Sequence, residues 1–329
     1  MGAVSVLGLG KYLPETVLTN DDICSFVDTN NEWILSRTGI AARHTLSGGE
    51  RNTDMGLAAA RIALAEAGLE PAAVTHVLYA TCSAEETCPA AAFTLCAKLG
   101  VPGMFALDIN AACSGFLYGL SLARGLVAVE PSARILLVTS EAMTTRLDWR
   151  DRSTCVLFGD GAAAAVLAAP GTEGAIATLG DIAIASDGRL GALLRVGTLP
   201  EKGRYEPGDP IGTEYYLRME GREIFKHAVR NMSAICREVL ERNALTVDDI
   251  DLFVPHQANA RIIEAVNAKL GAASDKVFLN LNACGNTSAA SIPLALAEAR
   301  EKGILRPGMN VLVTTFGAGL SWGAALLRF

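Results

Sequence analysis

The sequence predicts an α/β protein built from two similar halves, residues 1–175 and 176–329. Short apolar runs rich in β-branched residues alternate with helical patterns, which is typical of βαβ units with mostly parallel strands buried on both faces. Three segments of the first half also recur in the second half at an offset of 173–175 residues. Self-similarity at half the chain length favours duplication over a chance likeness of two generic βαβ patterns.

The recurring segments are apolar strands together with the residues that follow them. VLYATC (77–82) resembles LFVPHQ (252–257), ILLVTSEA (135–142) resembles VLVTTFGA (311–318), and FALDINAACSGFLYGLSLA (105–123) resembles VFLNLNACGNTSAASIPLALA (277–297). We expect the two halves to pack about a pseudo-twofold axis.

The remaining segments lie outside the repeated strands and helices of the two halves. The run TNDDICS (19–25) predicts a capped helix start, and apolar periodicity predicts helices over 55–69 and 224–245. Residues 186–221 are rich in glycine, proline and charge. We expect them to form an excursion between the halves, close to the functional site.

Composition excludes several classes of function. The 329 residues carry a formal net charge of −7, which argues against general nucleic-acid binding but allows a local basic patch for an acidic partner. No signal-type start and no apolar run of about 18 residues are evident, so we predict a cytoplasmic protein that does not bind membranes. The eight cysteines lack CxxC or cysteine–histidine spacing, so no metal site is predicted.

Three polar residues follow predicted strands at corners of the duplicated frame. Cys113 comes after the strand MFALDIN and opens a helix, Asn286 lies at the same place in the second half, and His256 comes just after DLFVP. Ligands gather at the carboxyl ends of parallel strands, so these residues are candidates for one site. Alternatively, His256 is a structural histidine and Asn286 is a cap or turn residue.

Cys113 has the setting of a nucleophile. A helix N-terminus offers its dipole and free backbone N–H groups, both of which favour the thiolate over the thiol. A cysteine nucleophile forms a thioester as its covalent intermediate. The alternative is that Cys113, like the other seven cysteines, is a small buried hydrophobic residue.

Several motifs resemble one known family over essentially the whole chain. NEWILSRTGIAAR, DINAACSGFLYGL, FGDGAAAAVL, PHQANARI, GNTSAASIPLAL and FGAGLSWGAALLRF are similar to β-ketoacyl-acyl carrier protein synthase III, of the thiolase superfamily. The resemblance implies a five-layered αβαβα fold, a homodimer, and the decarboxylative Claisen condensation of an acyl-CoA primer with malonyl-acyl carrier protein. It implies no cofactor, because the coenzyme A thioester is itself the substrate.

The resemblance also implies roles for residues of the reaction centre. Cys113 matches the acylated nucleophile, and His256 and Asn286 match the pair that hydrogen-bonds the malonyl thioester carbonyl. Donors belong there because loss of CO2 develops negative charge on the thioester oxygen. The backbone N–H groups of Cys113 and Ala318 match a second oxyanion hole. The family usually has glycine where this chain has Ala318.

The resemblance also implies residues that bind coenzyme A and residues that receive the carrier protein. Trp33, Arg37 and Arg152 match residues that hold the nucleotide, where an indole and a guanidinium sandwich adenine, although Arg152 is nearly as well explained by a surface salt bridge. Asn259 matches a pantetheine contact. Arg222, which replaces a family asparagine, and Lys226 share one predicted helix face, and Lys226 and Arg261 match positions that receive the acidic carrier protein. The alternative for this stripe is a solvated helix face.

Cys88 departs from the family pattern in the predicted acyl pocket. Many members carry phenylalanine there, reaching across the dimer to close the primer tunnel. A smaller side chain leaves volume open, so we predict that primers longer or more branched than acetyl are accepted.

Besides an initiating condensing enzyme, the sequence is compatible with two other functions. One is an acyltransferase or condensing enzyme of secondary metabolism that uses an unusual acyl-CoA. The other, from a different class, is a non-catalytic partner subunit that keeps the fold for assembly; retention of Cys113, His256 and Asn286 argues against it.

Overall fold

A computed structural model describes residues 3–197 and 216–329. The strands of these ranges are β1 (Val4–Tyr12), β2 (Thr16–Thr19), β3 (Ala42–Thr45), β4 (His76–Ala80), β5 (Phe105–Ile109), β6 (Arg134–Ala142), β7 (Asp160–Ala168), β8 (Ala177–Ser186), β9 (Leu194–Val196), β10 (Leu217–Met219), β11 (Leu252–Pro255), β12 (Asn310–Gly317) and β13 (Ser321–Arg328). The helices are α1 (Asn20–Cys24), α2 (Asn31–Thr38), α3 (Asn52–Glu66), α4 (Ala91–Leu99), α5 (Gly115–Val129), α6 (Gly221–Arg242), α7 (Ala260–Leu270), α8 (Leu281–Cys284) and α9 (Ser291–Glu301).

The main sheet repeats one strand order in the two halves of the chain. Its nine strands run β11-β12-β13-β8-β1-β7-β6-β4-β5. Read outward from the centre, β1-β7-β6-β4 of the first half matches β8-β13-β12-β11 of the second. A bridge between Phe253 and Val277 stands where β5 stands in the first half. The predicted boundary at residues 175–176 falls between β7 and β8.

The prediction of mostly parallel strands is wrong. Strands β4, β5 and β6 are parallel, as are β11 and β12. By contrast, β7 is antiparallel to both β6 and β1, and β13 is antiparallel to both β12 and β8. A strand buried on both faces gives a continuous apolar run in either direction, so the sequence pattern carries no information on polarity.

Five layers follow from the packing of the helices, as predicted. Helix α3 packs on β1, β6 and β7, with α4 beside it, and α6 packs on β8, β12 and β13, with α7 beside it. The central helices α5 and α9 contribute to one core cluster with strands of both halves, including Leu117, Leu296, Leu137 and Val313. The layers are therefore, in order, α3 and α4, the strands of the first half (one half-sheet), α5 and α9, the strands of the second half (the other half-sheet), and α6 and α7.

One helix of the described residues is long and apolar enough to cross a membrane by length and composition alone. It covers Ala112–Val129, with a mean hydropathy of 1.4. In the structure this segment is the central helix α5 and the turn before it. Its apolar side chains, such as Leu117 and Leu120, lie in the core cluster between the half-sheets.

The predicted helices are present, with small shifts at their ends. Thr19 caps α1 by a capping box with Asp22, as the run TNDDICS predicts. The helices predicted at 55–69 and 224–245 begin at Asn52 and Gly221. Of the predicted excursion, residues 198–215 lie outside the described residues. Its described ends form a two-stranded sheet of β9 and β10, whose Leu194 and Met219 line the cavity described below.

Candidate active site

The predicted site residues surround one cavity of about 1920 Å³ that is lined by both halves of the chain. Nearly all of the predicted residues line it: Trp33, Arg37, Cys113, Arg152, Arg222, Lys226, His256, Asn259, Arg261, Asn286 and Ala318. Cys113, His256 and Asn286 are buried at its inner end, with 8%, 2% and 6% of their surfaces exposed. The tertiary fold therefore brings Cys113 together with Asn286, which lies 173 positions later in the chain.

Cys113 lies in a tight turn between β5 and α5. The turn covers Ala112–Ser114, and Ala112 adopts a φ of 45°, in the left-handed region that non-glycine residues rarely enter. The Thr315 hydroxyl donates a 2.8 Å hydrogen bond to the Cys113 carbonyl. These constraints fix the backbone that carries the thiol.

The second half contains the same turn, and it corrects the predicted alignment. Residues Ser288–Ala290 form it, and Ser288 has a φ of 49°, matching Ala112. In this register Cys113 corresponds to Ala289, and Asn286 corresponds to Asn110. Asn286 therefore does not occupy the place of Cys113; it lies three residues earlier, after the short helix α8. The sequence comparison slipped because both segments are rich in small residues.

The predicted depression of the Cys113 pKa is wrong. Burial raises the pKa of the Cys113 thiol to about 12, and nearby Glu141 adds to the rise, while the Ser288 hydroxyl opposes it. Burial therefore opposes the ionisation of Cys113 that the helix start favours. The Cys113 side chain is therefore a neutral thiol at rest, and it would have to lose its proton in order to act as a nucleophile.

His256 is held as a neutral imidazole. It comes directly after β11, and its Nδ1 lies 2.5 Å from the Ser291 hydroxyl at the start of α9. Burial lowers its pKa to about 3, so the ring stays uncharged at neutral pH. A neutral imidazole carries one N–H, which is a hydrogen-bond donor that needs no counter-ion.

Asn286 is oriented by its own turn. Its Oδ1 accepts a 2.9 Å hydrogen bond from the Ser288 backbone N–H. This bond occupies the acceptor side of the amide and leaves the Nδ2 donors for other partners. The geometry suits a residue that donates into the cavity.

The end of β12 packs directly against the backbone of Cys113, just before the turn that joins β12 to β13. A Cβ atom on Gly317 would lie 2.9 Å from the Cys113 backbone nitrogen, so only glycine fits there. Ala318 follows, and its carbonyl accepts from the Ser321 hydroxyl at 3.2 Å. The described structure thus brings both predicted oxyanion-hole residues, Cys113 and Ala318, to the cavity.

At the mouth of the cavity, Trp33 and Arg152 contact each other directly. The Arg152 guanidinium lies 4.8 Å from the centre of the Trp33 ring and donates to the Asp28 carbonyl at 2.9 Å. Because the two side chains are in contact, Arg152 has to move before adenine can bind between them as predicted. Asn259 caps α7 and also donates to the Arg37 carbonyl at 3.1 Å, so much of its hydrogen-bonding capacity is already used.

The predicted basic stripe lies at the rim of the cavity. Helix α6 begins at Gly221, so Arg222 and Lys226 share one face, and Arg261 approaches from α7. Lys226 also pairs with Glu223 at 2.7 Å, which partly neutralises the stripe. The surface is basic but not uniformly so.

Cys88 is exposed and does not line this cavity. It lies shortly before α4, whose Ala91 and Ala92 N–H groups both donate to Asp108 on the edge strand β5 at 2.8 Å. Asp108 itself lines the cavity. The predicted role of Cys88 in the acyl pocket therefore requires a second chain.

Sequence reasoning missed four supporting residues: Cys82, Glu141, Ser288 and Ser291. Glu141 carried a signal, since it is a charged residue at the end of the apolar run ILLVTSEA. Ser288 and Ser291 lie inside the GNTSAAS motif, where spacing does not tell which hydroxyl faces Cys113 or His256.

A cysteine, a histidine and an asparagine held at one cavity by a duplicated thiolase-like fold are typical of condensing enzymes that work on thioesters. The family model 3-oxoacyl-[acyl-carrier-protein (ACP)] synthase III matches residues 107–188, and the model of its C-terminal part matches residues 240–329. The chain belongs to the 3-oxoacyl-[acyl-carrier-protein] synthase III family.

Individual proteins are similar over nearly the full length. The beta-ketoacyl-[acyl-carrier-protein] synthase III of Nitratidesulfovibrio vulgaris (strain Miyazaki F) is 56% identical, covering 99% of this chain and 98% of that one. The crystal structure of 3-oxoacyl-[acyl-carrier-protein] synthase III from Aquifex aeolicus has a TM-score of 0.91 at 41% identity, over 99% of this chain and 100% of that chain. The priming beta-ketosynthase of the R1128 polyketide pathway has a TM-score of 0.89 at 35% identity, over 99% and 96%.

Proposed function

We propose that this protein catalyses the decarboxylative Claisen condensation of an acyl-CoA primer with malonyl-acyl carrier protein, which initiates fatty acid synthesis. The proposal is carried by the meeting of Cys113, His256 and Asn286 at one cavity in a member of this family. Supplied with acyl-CoA and malonyl-carrier, the protein should release CO2 and form a β-ketoacyl-carrier. Absence of that product with every acyl-CoA of a panel would favour the non-catalytic partner subunit.

Acylation is the first step. The Cys113 sulfur attacks the thioester carbon of acyl-CoA, the carbon–sulfur bond to coenzyme A breaks, and the proton of the thiol ends on the released coenzyme A. The oxygen of the tetrahedral intermediate is negative, and backbone N–H groups of Cys113 and Ala318 are its donors. The chemistry calls for no metal or redox cofactor, because these donors carry the developing charge.

Condensation is the second step. The malonyl thioester loses CO2, and the resulting enolate oxygen receives hydrogen bonds from His256 and the Asn286 amide. When Ser291 donates to Nδ1 of His256, the imidazole proton resides on Nε2 and is available to the thioester oxygen. The enolate carbon then attacks the carbonyl carbon of the acyl-cysteine, the carbon–sulfur bond to Cys113 breaks, and the departing sulfur takes up one proton from solvent, which restores the neutral thiol.

Replacing Gly317 with alanine is expected to slow acylation by about 100-fold or more, because the added methyl group crowds the Cys113 N–H that serves the oxyanion. Rapid-quench mass measurement of the acyl-enzyme gives the rate. Gly125→Ala is the matched control, since a Cβ on Gly125 meets no atom within 4 Å. Equal rates for the two variants would show that the Cys113 N–H is not an oxyanion donor.

We further propose that Arg222, Lys226 and Arg261 receive the acidic carrier protein. Reversing these charges to glutamate should raise the KM for malonyl-carrier at least tenfold, leave the KM for acyl-CoA within about twofold, and weaken the salt dependence of carrier binding. Lys269→Glu is the control, because Lys269 is exposed on α7 away from the cavity. Equal effects on both substrates would contradict docking.

A homodimer is the proposed assembly. The edge strand β5 exposes Phe105 and Leu107, with 48% and 41% of their surfaces accessible, and Phe93 of α4 is exposed beside them. Unpaired apolar edges of this kind favour pairing with another strand, and a second copy supplies one. Mass measurement in solution by light scattering tests this, and a monomer at micromolar concentration would refute it.

Cys88→Phe is expected to shift primer preference towards acetyl-CoA, because a phenyl ring fills volume that the thiol side chain leaves open. The natural protein should accept butyryl- to octanoyl-CoA, with a graded preference of about 1–3 kcal/mol per methylene. Values of kcat/KM across the series check this, with Cys88→Ser as the size-matched control. An unchanged profile in Cys88→Phe would show that this position does not set the tunnel.

The same profile separates two physiological roles. The alternative role is in secondary metabolism, and it is supported by the similarity to the priming beta-ketosynthase of the R1128 polyketide pathway. Preference for a common short or branched acyl-CoA supports the fatty acid role, whereas restriction to one unusual acyl-CoA supports the other.

A further inference from the structure

A continuous chain of hydrogen-bonding side chains leads from the nucleophile to a buried carboxylate. The Cys113 thiol donates to the Ser288 hydroxyl at 3.5 Å, the Ser288 hydroxyl and the Cys82 thiol lie 3.7 Å apart, and the Cys82 thiol donates to Oε1 of Glu141 at 3.4 Å. One consistent direction of donation fits all three contacts, from Cys113 towards Glu141. Cys113, Ser288 and Glu141 belong to three different elements of the chain, so only the tertiary fold brings them into line.

Glu141 is unusual among the described residues around the cavity. It is fully buried, and no cation is among its partners: Oε2 accepts from the Thr81 hydroxyl and the Cys82 N–H, both at 3.1 Å, and from the Ser83 hydroxyl. Oε1 accepts from the Cys82 thiol at 3.4 Å, and the Ser288 hydroxyl also interacts with this carboxylate and helps to lower its pKa. A carboxylate oxygen whose hydrogen bond comes from a weak thiol donor retains capacity to accept a proton.

We propose that Glu141 is a positioning residue that receives the proton of the Cys113 thiol, through Ser288 and Cys82, while the acyl group is transferred. As the Cys113 sulfur bonds to the acyl carbon, its proton passes to the Ser288 oxygen, the Ser288 proton passes to the Cys82 sulfur, and the Cys82 proton passes to Oε1. Every intermediate group regains the proton that it gives up. The proton on Glu141 then returns through Cys82 and Ser288, and the Ser288 hydroxyl passes it to the coenzyme A thiolate, because the acylated Cys113 sulfur no longer carries a proton.

The proposal rests on the proposed acylation of Cys113 and answers a need that the site itself creates. Burial keeps the resting thiol neutral, as described above, so attack requires a proton acceptor. Burial also raises the pKa of Glu141, which makes its carboxylate a better acceptor than an exposed one. Nδ1 of His256 is engaged with Ser291, and the other nitrogen has its role in condensation.

The test compares Cys82→Ala with Cys82→Ser, because both side chains are small and only serine keeps an exchangeable hydrogen. Rapid-quench mass spectrometry gives the rate of acylation by acyl-CoA, and a second experiment follows condensation of enzyme that is already acylated with malonyl-carrier. Cys82→Ala, Ser288→Ala and Glu141→Gln should slow acylation about 10- to 100-fold and condensation less than threefold. Cys82→Ser should restore acylation to within about threefold of the natural rate.

Several results would overturn the relay. Equal acylation rates for Cys82→Ala and Cys82→Ser would exclude proton transfer through this side chain, even where Glu141→Gln fails to fold. Equal slowing of acylation and condensation would indicate a structural role only. If the natural protein itself is not acylated on Cys113, the proposed function is wrong. If the natural protein is acylated and the variants are acylated at the same rate, only the relay is wrong.

Discussion

Replacing Cys113 with alanine is expected to abolish the acyl-enzyme and to lower condensation at least about 1000-fold. The reason is that the covalent intermediate needs a sulfur at the turn before α5, and no other cysteine of the described residues occupies a strained turn at the start of a central helix. Intact-mass measurement after treatment with acyl-CoA, followed by peptide mapping, checks both the loss and the site of acylation.

The control for this experiment is Cys24→Ser, because Cys24 lies on α1 and does not line the cavity. It should be acylated on Cys113 at the natural rate. Cys82 is the sharper alternative, since its thiol shares the Ser288 hydroxyl with Cys113. Turnover by Cys113→Ala, with an acyl group mapped to Cys82, would show that the nucleophile is Cys82 and not Cys113.

Replacing His256 or Asn286 with alanine is expected to lower the release of CO2 from malonyl-carrier by about 100- to 1000-fold while acylation of Cys113 stays within tenfold of the natural rate. In the proposed mechanism both residues donate to the same thioester oxygen, so the charge that develops on decarboxylation loses a donor in either variant. Both activities are measured on one preparation, with labelled malonyl-carrier for CO2 and mass spectrometry for acylation.

The conservative variant His256→Gln sharpens this result. It keeps a neutral donor of similar reach, and His256 already acts as a neutral ring because burial lowers its pKa to about 3. We therefore expect His256→Gln to retain more decarboxylation than His256→Ala. If His256→Ala loses acylation as completely as decarboxylation, with an unchanged unfolding temperature, the division of labour between the two steps is wrong.

Much of the architecture could be predicted because buried strands and helices have strong sequence signatures. The offset between the halves located β4 against β11 and β6 against β12, and Thr19 marked the start of α1. Strand direction could not be predicted, because apart from their end residues β7 and β13 are apolar runs, and such a run looks the same whether it lies parallel or antiparallel to its neighbours. The alignment of Cys113 with Asn286 was three residues off, and only the matching φ angles of Ala112 and Ser288 gave the register.

The sequence by itself determined the chemistry available to this protein: a cysteine at a helix start, a histidine and an asparagine after buried segments, and a duplicated frame to hold them. Residue type and local pattern suffice for that, because they are properties of short segments. Tertiary structure alone decided the protonation of the site. Burial depends on every layer packed around Cys113, His256 and Glu141, and it keeps the thiol and the imidazole neutral, against the thiolate that the helix start alone predicts.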